Sequence, residues 1–334
     1  MNVLSLFDGI SCGRLALQRA GIGVENYFAS EIDKFAMQVS KANWPEIQHI
    51  GDVCGVHAAD LPKIDLLIGG SPCQGFSFAG KGLNFDDPRS ALFFEYVRIL
   101  NEAKKINPDI IFLLENVPMK REYQMVISKY LCVEPIEING ALVSAQNRRR
   151  LFWTNIKAQP FNLFGDIVSM IPQPKDNGIL LRDILQPVEE VDKKYFLSEK
   201  ALNRLERRMK GNFSKPCIDT EKSGTATTRS NSGRMNLDSG TTLVKIDVDG
   251  RVSPNQNKSG CFTAGGNSAG NHSDMDLIFT EETSQYRRLT PIEVERLFTL
   301  PDGYTSVVSD SQRYRCMGNG WVVEVISHIL SHIQ

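Results

Sequence analysis

Several side chains able to do chemistry stand where apolar runs of the first half end. Cys73 lies in Ser71-Pro72-Cys73-Gln74, after the strand-like Ile64-Asp65-Leu66-Leu67-Ile68 and Gly69-Gly70. Most cysteines are inert core residues, but a thiol at this place is lifted into the crevice above a sheet, where its thiolate is a nucleophile. Pro72 fixes the backbone beside it, and the Gly-rich stretch 75–88 reads as a long loop able to act as a lid. Glu115, in Glu115-Asn116-Val117-Pro118, ends another apolar run. A carboxyl group at a buried strand end works as an acid if burial keeps its proton on, and is otherwise one half of a salt bridge. Gln146-Asn147-Arg148-Arg149-Arg150 precedes the strand-like Leu151-Phe152-Trp153. Strand alternation would set Gln146, Arg148 and Arg150 on one face, two guanidiniums ready for a carboxylate, a phosphate or a carbonyl oxygen.

A second set suits a cofactor. Phe7-Asp8-Gly9-Ile10-Ser11-Cys12-Gly13 closes the first strand, and its small residues let backbone amides approach a ligand. It matches neither the dinucleotide fingerprint nor the phosphate loop with its lysine, so alone it is a tight turn. Glu31, some twenty positions on at the end of the second strand, can accept hydrogen bonds from ribose hydroxyls. Gly51-Asp52 follows a third short apolar stretch, and Asp52 suits an adenine amino group. Together these describe a nucleoside site without a pyrophosphate signal.

The elements that must position these residues follow one rhythm. Strand-like runs at 3–7, 27–30, 64–68 and 109–114 alternate with helical patterns at 15–19, 33–41 and 90–103. That alternation predicts an α/β fold of βαβ units around a parallel sheet, with ligands at the carboxyl ends of the strands.

Composition narrows the class. The 334 residues are 41% hydrophobic and 23% charged, with 38 basic against 39 acidic residues and a net charge of −1. That balance excludes a protein holding nucleic acid by bulk charge, though not a nucleic-acid enzyme with segregated charge. The seven cysteines form no CxxC pair and the five histidines show no metal-ligand spacing, so a metal-free protein of a reducing, cytoplasmic compartment is expected. No run is long and apolar enough for a bilayer, and the N-terminus lacks the pattern of a signal peptide.

The second half differs. From 222 to 273, 28 of 52 residues are Gly, Ser, Thr or Asn, a composition of either a linker or polar loops on a small β scaffold. Segments 222–236 and 258–272 share six of fifteen residues and flank the strand-like 241–248, which favours a scaffold. The stretch 193–215 holds eight basic and two acidic residues, and 141–157 four basic and none acidic. Such runs are usually solvated faces; two of them framing a polar loop region suit a polyanion.

The ordered blocks FDGISCG, ASEID, GDV, SPCQGFS, ENV and QNRRR, with RRLTPIEVERLFTLPDGY (287–304) and GNGWVVEVI (318–326), resemble the cytosine-5 DNA methyltransferases of bacteria and phages. The first half is also similar to the catalytic domain of mammalian de novo DNA methyltransferases. The resemblance implies a Rossmann-like S-adenosylmethionine-dependent methyltransferase sheet with a smaller, loop-rich β target-recognition domain. The catalytic domain would span 1–178 plus 314–334, and the small domain 179–313. It implies that Phe7, Asp8, Gly9, Gly13, Glu31, Ile32, Asp52, Pro72 and Asn319 hold S-adenosylmethionine, and that Cys73 attacks carbon 6 of a flipped-out cytosine. Glu115 would contact its exocyclic amine and ring nitrogen 3, with Arg148 and Arg150 assisting. Gln74, Ser77, Arg89, Arg229, Arg234 and Thr263 would meet DNA. The helix around 322–330 would pack on the catalytic domain. The implied partner is double-stranded DNA, with either a cognate restriction endonuclease beside the enzyme or an orphan or phage enzyme acting without one; the acting form is a monomer, with no metal and no membrane.

Two departures stand out. The family's Thr-Leu-Thr/Ser-Ala segment appears as Cys261-Phe262-Thr263-Ala264, and Cys-Phe-Thr is similar to the branch that methylates transfer RNA. The family's Gly-Asn-Ser-Val appears as Gly318-Asn319-Gly320-Trp321, whose indole either reshapes the cofactor pocket or packs outward. The alternatives to a DNA enzyme are therefore a tRNA cytosine-5 methyltransferase and a catalytically silent DNA-binding homologue.

Overall fold

A computed structural model of the chain describes residues 1–72, 88–161, 165–198, 243–246, 277–280 and 285–333. Two compact units emerge. The first comprises Met1–Asn139, Arg149–Pro174 and Trp321–Gln334, the second Gly140–Arg148 and Lys175–Gly320.

The first unit is built on strands β1 (Asn2–Leu6), β2 (Asn26–Ser30), β3 (Gln48–Gly51), β4 (Leu66–Gly70), β5 (Ile111–Asn116), β6 (Ile136–Asn139) and β7 (Arg149–Thr154). They form one seven-stranded sheet in the order β3-β2-β1-β4-β5-β7-β6. Neighbours from β3 to β5 are parallel, whereas β7 runs antiparallel to both β5 and β6. The expected sheet is thus parallel but for one reversed strand. Val3, Leu4, Leu6, Leu66, Leu67 and Ile68 are buried, as unbroken apolar strands covered on both faces require. Between the strands run α1 (Cys12–Arg19), α2 (Lys34–Asn43), α3 (Pro88–Ile106) and α4 (Arg121–Leu131). Leu4, Leu67 and Leu114 of the sheet join Phe93, Tyr96 and Leu100 of α3 and Trp153 of β7 in one core cluster.

Two helix starts show local causes. The Asp33 carboxylate accepts from the backbone amides of Phe35 (2.9 Å) and Ala36 (3.4 Å), capping α2 for about 1 kcal/mol. Helix α1 begins at Cys12, earlier than the periodicity from Leu15 suggests. Gly13 eases this: a Cβ there would collide with the end of the Ile68 side chain and lie 3.0 Å from the Tyr27 hydroxyl, so glycine lets the first turn settle on the sheet without displacing them. A hairpin, β8 (Ala158–Pro160) with β9 (Ile167–Ser169), completes the middle of this unit.

The second unit contains α5 (Leu181–Ile184), strands β10 (Leu243–Ile246), β11 (Leu277–Thr280) and β12 (Gln285–Arg288), and helices α6 (Pro291–Leu297) and α7 (Asp310–Asn319). Strand β10, inside the strand-like 241–248, runs parallel to β11, and β12 antiparallel to it. The duplicated polar segments 222–236 and 258–272 lie outside the described residues. The block 287–304 supplies buried charge. Arg287 donates to both oxygens of Glu293 at 2.8 Å, and Glu293 also accepts from the amides of Gln186 and Thr290. Glu295, likewise buried, accepts from Arg313 (2.9 Å) and from the amide of Gly303. The last helix, α8 (Val323–Leu330), returns to the first unit against α1, where Arg19 pairs with Glu324 at 2.7 Å, as expected of 322–330.

Candidate active site

The chain steps from β1 outward to β2 and β3, then returns to β4 on the other side of β1. This reversal is a topological switch point, and the carboxyl ends of β1, β2, β4 and β5 share its rim. Those ends carry Phe7–Gly9, Glu31, Gly70–Pro72 and Glu115–Asn116.

The turn after β1 is unusual. Phe7 (φ 57°), Gly9 (φ 61°) and Ser11 (φ 61°) all adopt left-handed backbone, which two of these residues reach only at a steric cost. Hydrogen bonds hold the turn in place. The Asp8 amide donates to the Ser30 carbonyl (3.1 Å), and the Gly9 amide to Glu31 Oε2 (2.8 Å). Glu31 Oε1 accepts from the amides of Ile32 and Asp33, both at 2.8 Å. Glu31 is thereby fixed: its Oε1 is filled by two amides, and Oε2 keeps one further acceptor site for a hydroxyl. Ile32 beside it is 72% exposed, an apolar side chain left in solvent next to two carboxylates. Asp52 is exposed and accepts from the Cys54 amide at 3.0 Å. Asp8 points inward instead, accepting from the hydroxyls of Ser11 (2.5 Å) and Tyr27 (2.7 Å). Burial pushes its pKa up to about 6 despite these hydroxyls.

The other side of the switch point carries the groups for chemistry. Gly70 pairs directly with Glu115 across β4 and β5. The Asn116 amide donates to the Ser71 hydroxyl (3.2 Å) and carbonyl (3.4 Å), pinning the chain one residue before Pro72. Glu115 Oε1 accepts from Arg150 Nε at 2.8 Å, with both side chains nearly buried (12% and 14% exposed). Glu115 Oε2 accepts from the indole Nε1 of Trp321 at 3.1 Å. The reversal of β7 explains the first contact. Asn116 pairs with Leu151, so the beginning of β7, not its end, stands at the rim. Trp321 packs inward, not outward: its ring faces Gly13 and Gly70.

The arginine run does not share one strand face, because β7 begins only at Arg149. Arg149 is exposed and paired with Glu137 (2.7 Å). Arg148 belongs to the second unit, where it donates to the carbonyls of Gly318 (3.2 Å) and Gly320 (3.0 Å) and lies 5.0 Å from the centre of the Phe298 ring. Gln146 is buried in the same unit. Asn319 ends α7 with its side chain exposed. Cys73, Gln74, Ser77, Arg229, Arg234 and Thr263 lie outside the described residues, as do the segments 75–87 and 261–264. Arg89 stands in the first turn of α3. The Trp321–Glu115 bond escapes sequence reasoning, since nothing in the spacing links residues 206 positions apart. Among the described residues no group of His, Cys, Asp and Glu could hold a metal ion, and no helix is long and apolar enough to cross a membrane.

Comparison with known proteins gives the family. The family model of the C-5 cytosine-specific DNA methylases matches residues 1–124 and 142–334. The chain belongs to that family. It is a DNA (cytosine-5-)-methyltransferase. It is 31% identical to the type II methyltransferase M1.ScrFI of Lactococcus lactis subsp. cremoris, over 98% of this chain and 76% of that protein. It is 30% identical to M.NlaX, a type II methyltransferase of Neisseria lactamica, over 100% of this chain and 96% of the relative. Among solved structures, the Entamoeba histolytica methyltransferase EhMeth superposes with a TM-score of 0.71 at 15% identity, covering 99% of this chain and 97% of that one. The S. pombe Dnmt2 methyltransferase does so at 0.64 and 18%, covering 99% and 97%. At these identities the likeness shows a shared Rossmann-like fold.

Proposed function

We propose that this methyltransferase modifies carbon 5 of a flipped-out cytosine within a specific sequence of duplex DNA. The observation that carries the reading is the register of β4 on β5: it sets Glu115 beside Gly70, and Asn116 holds Ser71, two residues before Cys73.

Carbon 5 of cytosine is a poor nucleophile. The Cys73 thiolate adds to carbon 6, breaking the carbon 5–carbon 6 double bond and leaving an electron-rich carbon 5. Glu115 meets the exocyclic amine and ring nitrogen 3, where it offsets the charge that develops during addition. Arg150 holds the Glu115 carboxylate, and Arg148 orders the Gly318–Gly320 carbonyls next to Asn319. S-adenosylmethionine, when bound, supplies the methyl group. Loss of the carbon 5 proton and departure of the thiolate then restore the ring. The target must leave the stack first, at a cost of a few kcal/mol.

The residues present suit this donor. Glu31 offers one further acceptor, on Oε2, to a ribose hydroxyl, Ile32 an apolar platform for adenine, and Asp52 an acceptor for its amino group. The left-handed turn of Phe7, Gly9 and Ser11 brings backbone close, and Gly13, Pro72 and Asn319 complete the assignment. Target recognition falls to 179–313, and Arg229, Arg234, Thr263, Gln74, Ser77 and Arg89 meet DNA. The enzyme works as a cytoplasmic monomer, either beside a cognate restriction endonuclease or as an orphan or phage enzyme.

The test is transfer of tritium from labelled S-adenosylmethionine to unmethylated duplex DNA, with tRNA alongside and bisulfite sequencing of the product. Label on cytosines of one repeated DNA context supports the proposal. Label on tRNA alone, or on neither, overturns it.

A further inference from the structure

We infer that Trp321 is a positioning residue for Glu115, acting through its indole N–H, and that Gly70 is glycine to make room for that bond. The inference rests on the proposed role of Glu115.

Among the described residues, each of the two Glu115 oxygens has one side-chain anchor. Arg150 Nε holds Oε1 at 2.8 Å and Trp321 Nε1 holds Oε2 at 3.1 Å. One guanidinium contact leaves a carboxylate free to rotate about its last torsion, a soft twofold coordinate. A second donor on the other oxygen fixes the plane of the group. Each oxygen keeps a second acceptor site, so the plane set by the two anchors decides where the remaining lone pairs point. A base presenting an amine and a ring nitrogen side by side needs them in one definite plane, and misplacement by about 1 Å is enough to slow such a reaction substantially.

Gly70 supports the reading. It pairs with Glu115 in register, so substituents at the two positions project from the same face of the sheet. A Cβ at Gly70 would lie 2.9 Å from Glu115 Oε2 and 2.9 Å from Trp321 Nε1, crowding both ends of the hydrogen bond. Gly70 has no positive φ that would explain its identity, so the space it leaves is the reason for it. The indole is bulky for a position occupied by valine in the family pattern, and its length lets a donor two residues before α8 reach Glu115 at the end of β5.

The test uses the full chain and duplex DNA. Trp321→Phe keeps an aromatic ring and removes the donor. The inference expects a single-turnover methylation rate lowered about tenfold, equivalent to about 1.4 kcal/mol, with KM for DNA and for the methyl donor within about twofold. Gly70→Ala should lower the same rate. In a Glu115→Gln background Trp321→Phe should cost less than about twofold more, because its target is already impaired. Independently of activity, the indole N–H resonance absent from Trp321→Phe should move upfield in Glu115→Gln. Three results overturn the inference: an unchanged rate in Trp321→Phe, an equal loss in both backgrounds, or a loss confined to KM for the methyl donor. An inactive wild-type chain overturns the proposed function and this inference with it, whereas an active wild type beside any of those three overturns the inference alone. A Trp321→Phe chain that fails to fold, seen by circular dichroism, leaves the decision to Gly70→Ala and the resonance in Glu115→Gln.

Discussion

Replacing Asp8 with asparagine removes a titrating group from beneath the β1–α1 turn while keeping its size. The carboxylate is buried, with hydroxyl donors from Ser11 and Tyr27, and the Ser11 hydroxyl continues to Ser40 (2.6 Å) and thence to His49 (3.3 Å). Burial raises its pKa from an ordinary 3.8 to about 6, the hydroxyls opposing and the charge of Glu31 adding slightly. The native state therefore holds this proton more tightly than the unfolded chain. That preference stabilises the fold fully below about pH 4 and disappears as pH rises through about 6. Over the whole range it is worth about 3 kcal/mol, of which about 1.4 kcal/mol falls between pH 5 and pH 8. The asparagine amide does not titrate. Any constant penalty from rearranged hydroxyls is the same at both pH values, so it cancels in the comparison. Urea unfolding followed by circular dichroism should show Asp8→Asn gaining about 1.4 kcal/mol on the wild type between pH 5 and pH 8. Curves that stay parallel over this interval would refute the buried-carboxyl argument.

Other changes test other parts of the molecule. Glu293→Ala strips Arg287 of its buried partner, the two being 0% and 2% exposed, and should lower stability by about 3–5 kcal/mol in urea denaturation. Glu31→Ala loosens the β1 turn and removes the ribose acceptor, so KM for S-adenosylmethionine should rise about tenfold or more while KM for DNA changes little, read from initial rates. Gly13→Val would drive a branched side chain into Ile68 and Tyr27 and should give a destabilised chain with weakened donor binding in calorimetry.

The rim of the site was legible because each of its residues ends a local apolar run. Glu31, Gly70 and Glu115 are found by counting strands, since a βαβ order sends every carboxyl end to one edge. Position in the sheet was less accessible. The run around Leu151–Trp153 reads as a strand in either direction, and only its antiparallel pairing with β5 brings Arg150, and not Thr154, to Glu115. Arg148 and Arg150 are equivalent in the sequence, but the strand starts between them and sends them to different partners. The acidic residues of 287–304 look like surface charge, yet Glu293 and Glu295 are buried because several donors converge on each. Trp321 was visible as an oversized residue; its partner was not, because long-range contacts of one side chain leave no periodic trace.

The central claim is covalent catalysis by Cys73, and a suicide substrate tests it most directly. Duplex DNA carrying 5-fluorocytosine at the target site accepts the thiolate at carbon 6 and the methyl group at carbon 5. It cannot then lose fluorine as a cation, so the adduct persists. With S-adenosylmethionine present, the wild-type chain should form a denaturant-stable complex, mapped by peptide mass to Cys73, and Cys73→Ala should form none while still binding DNA. An adduct mapped elsewhere, or methylation of ordinary cytosine by Cys73→Ala, would contradict the account.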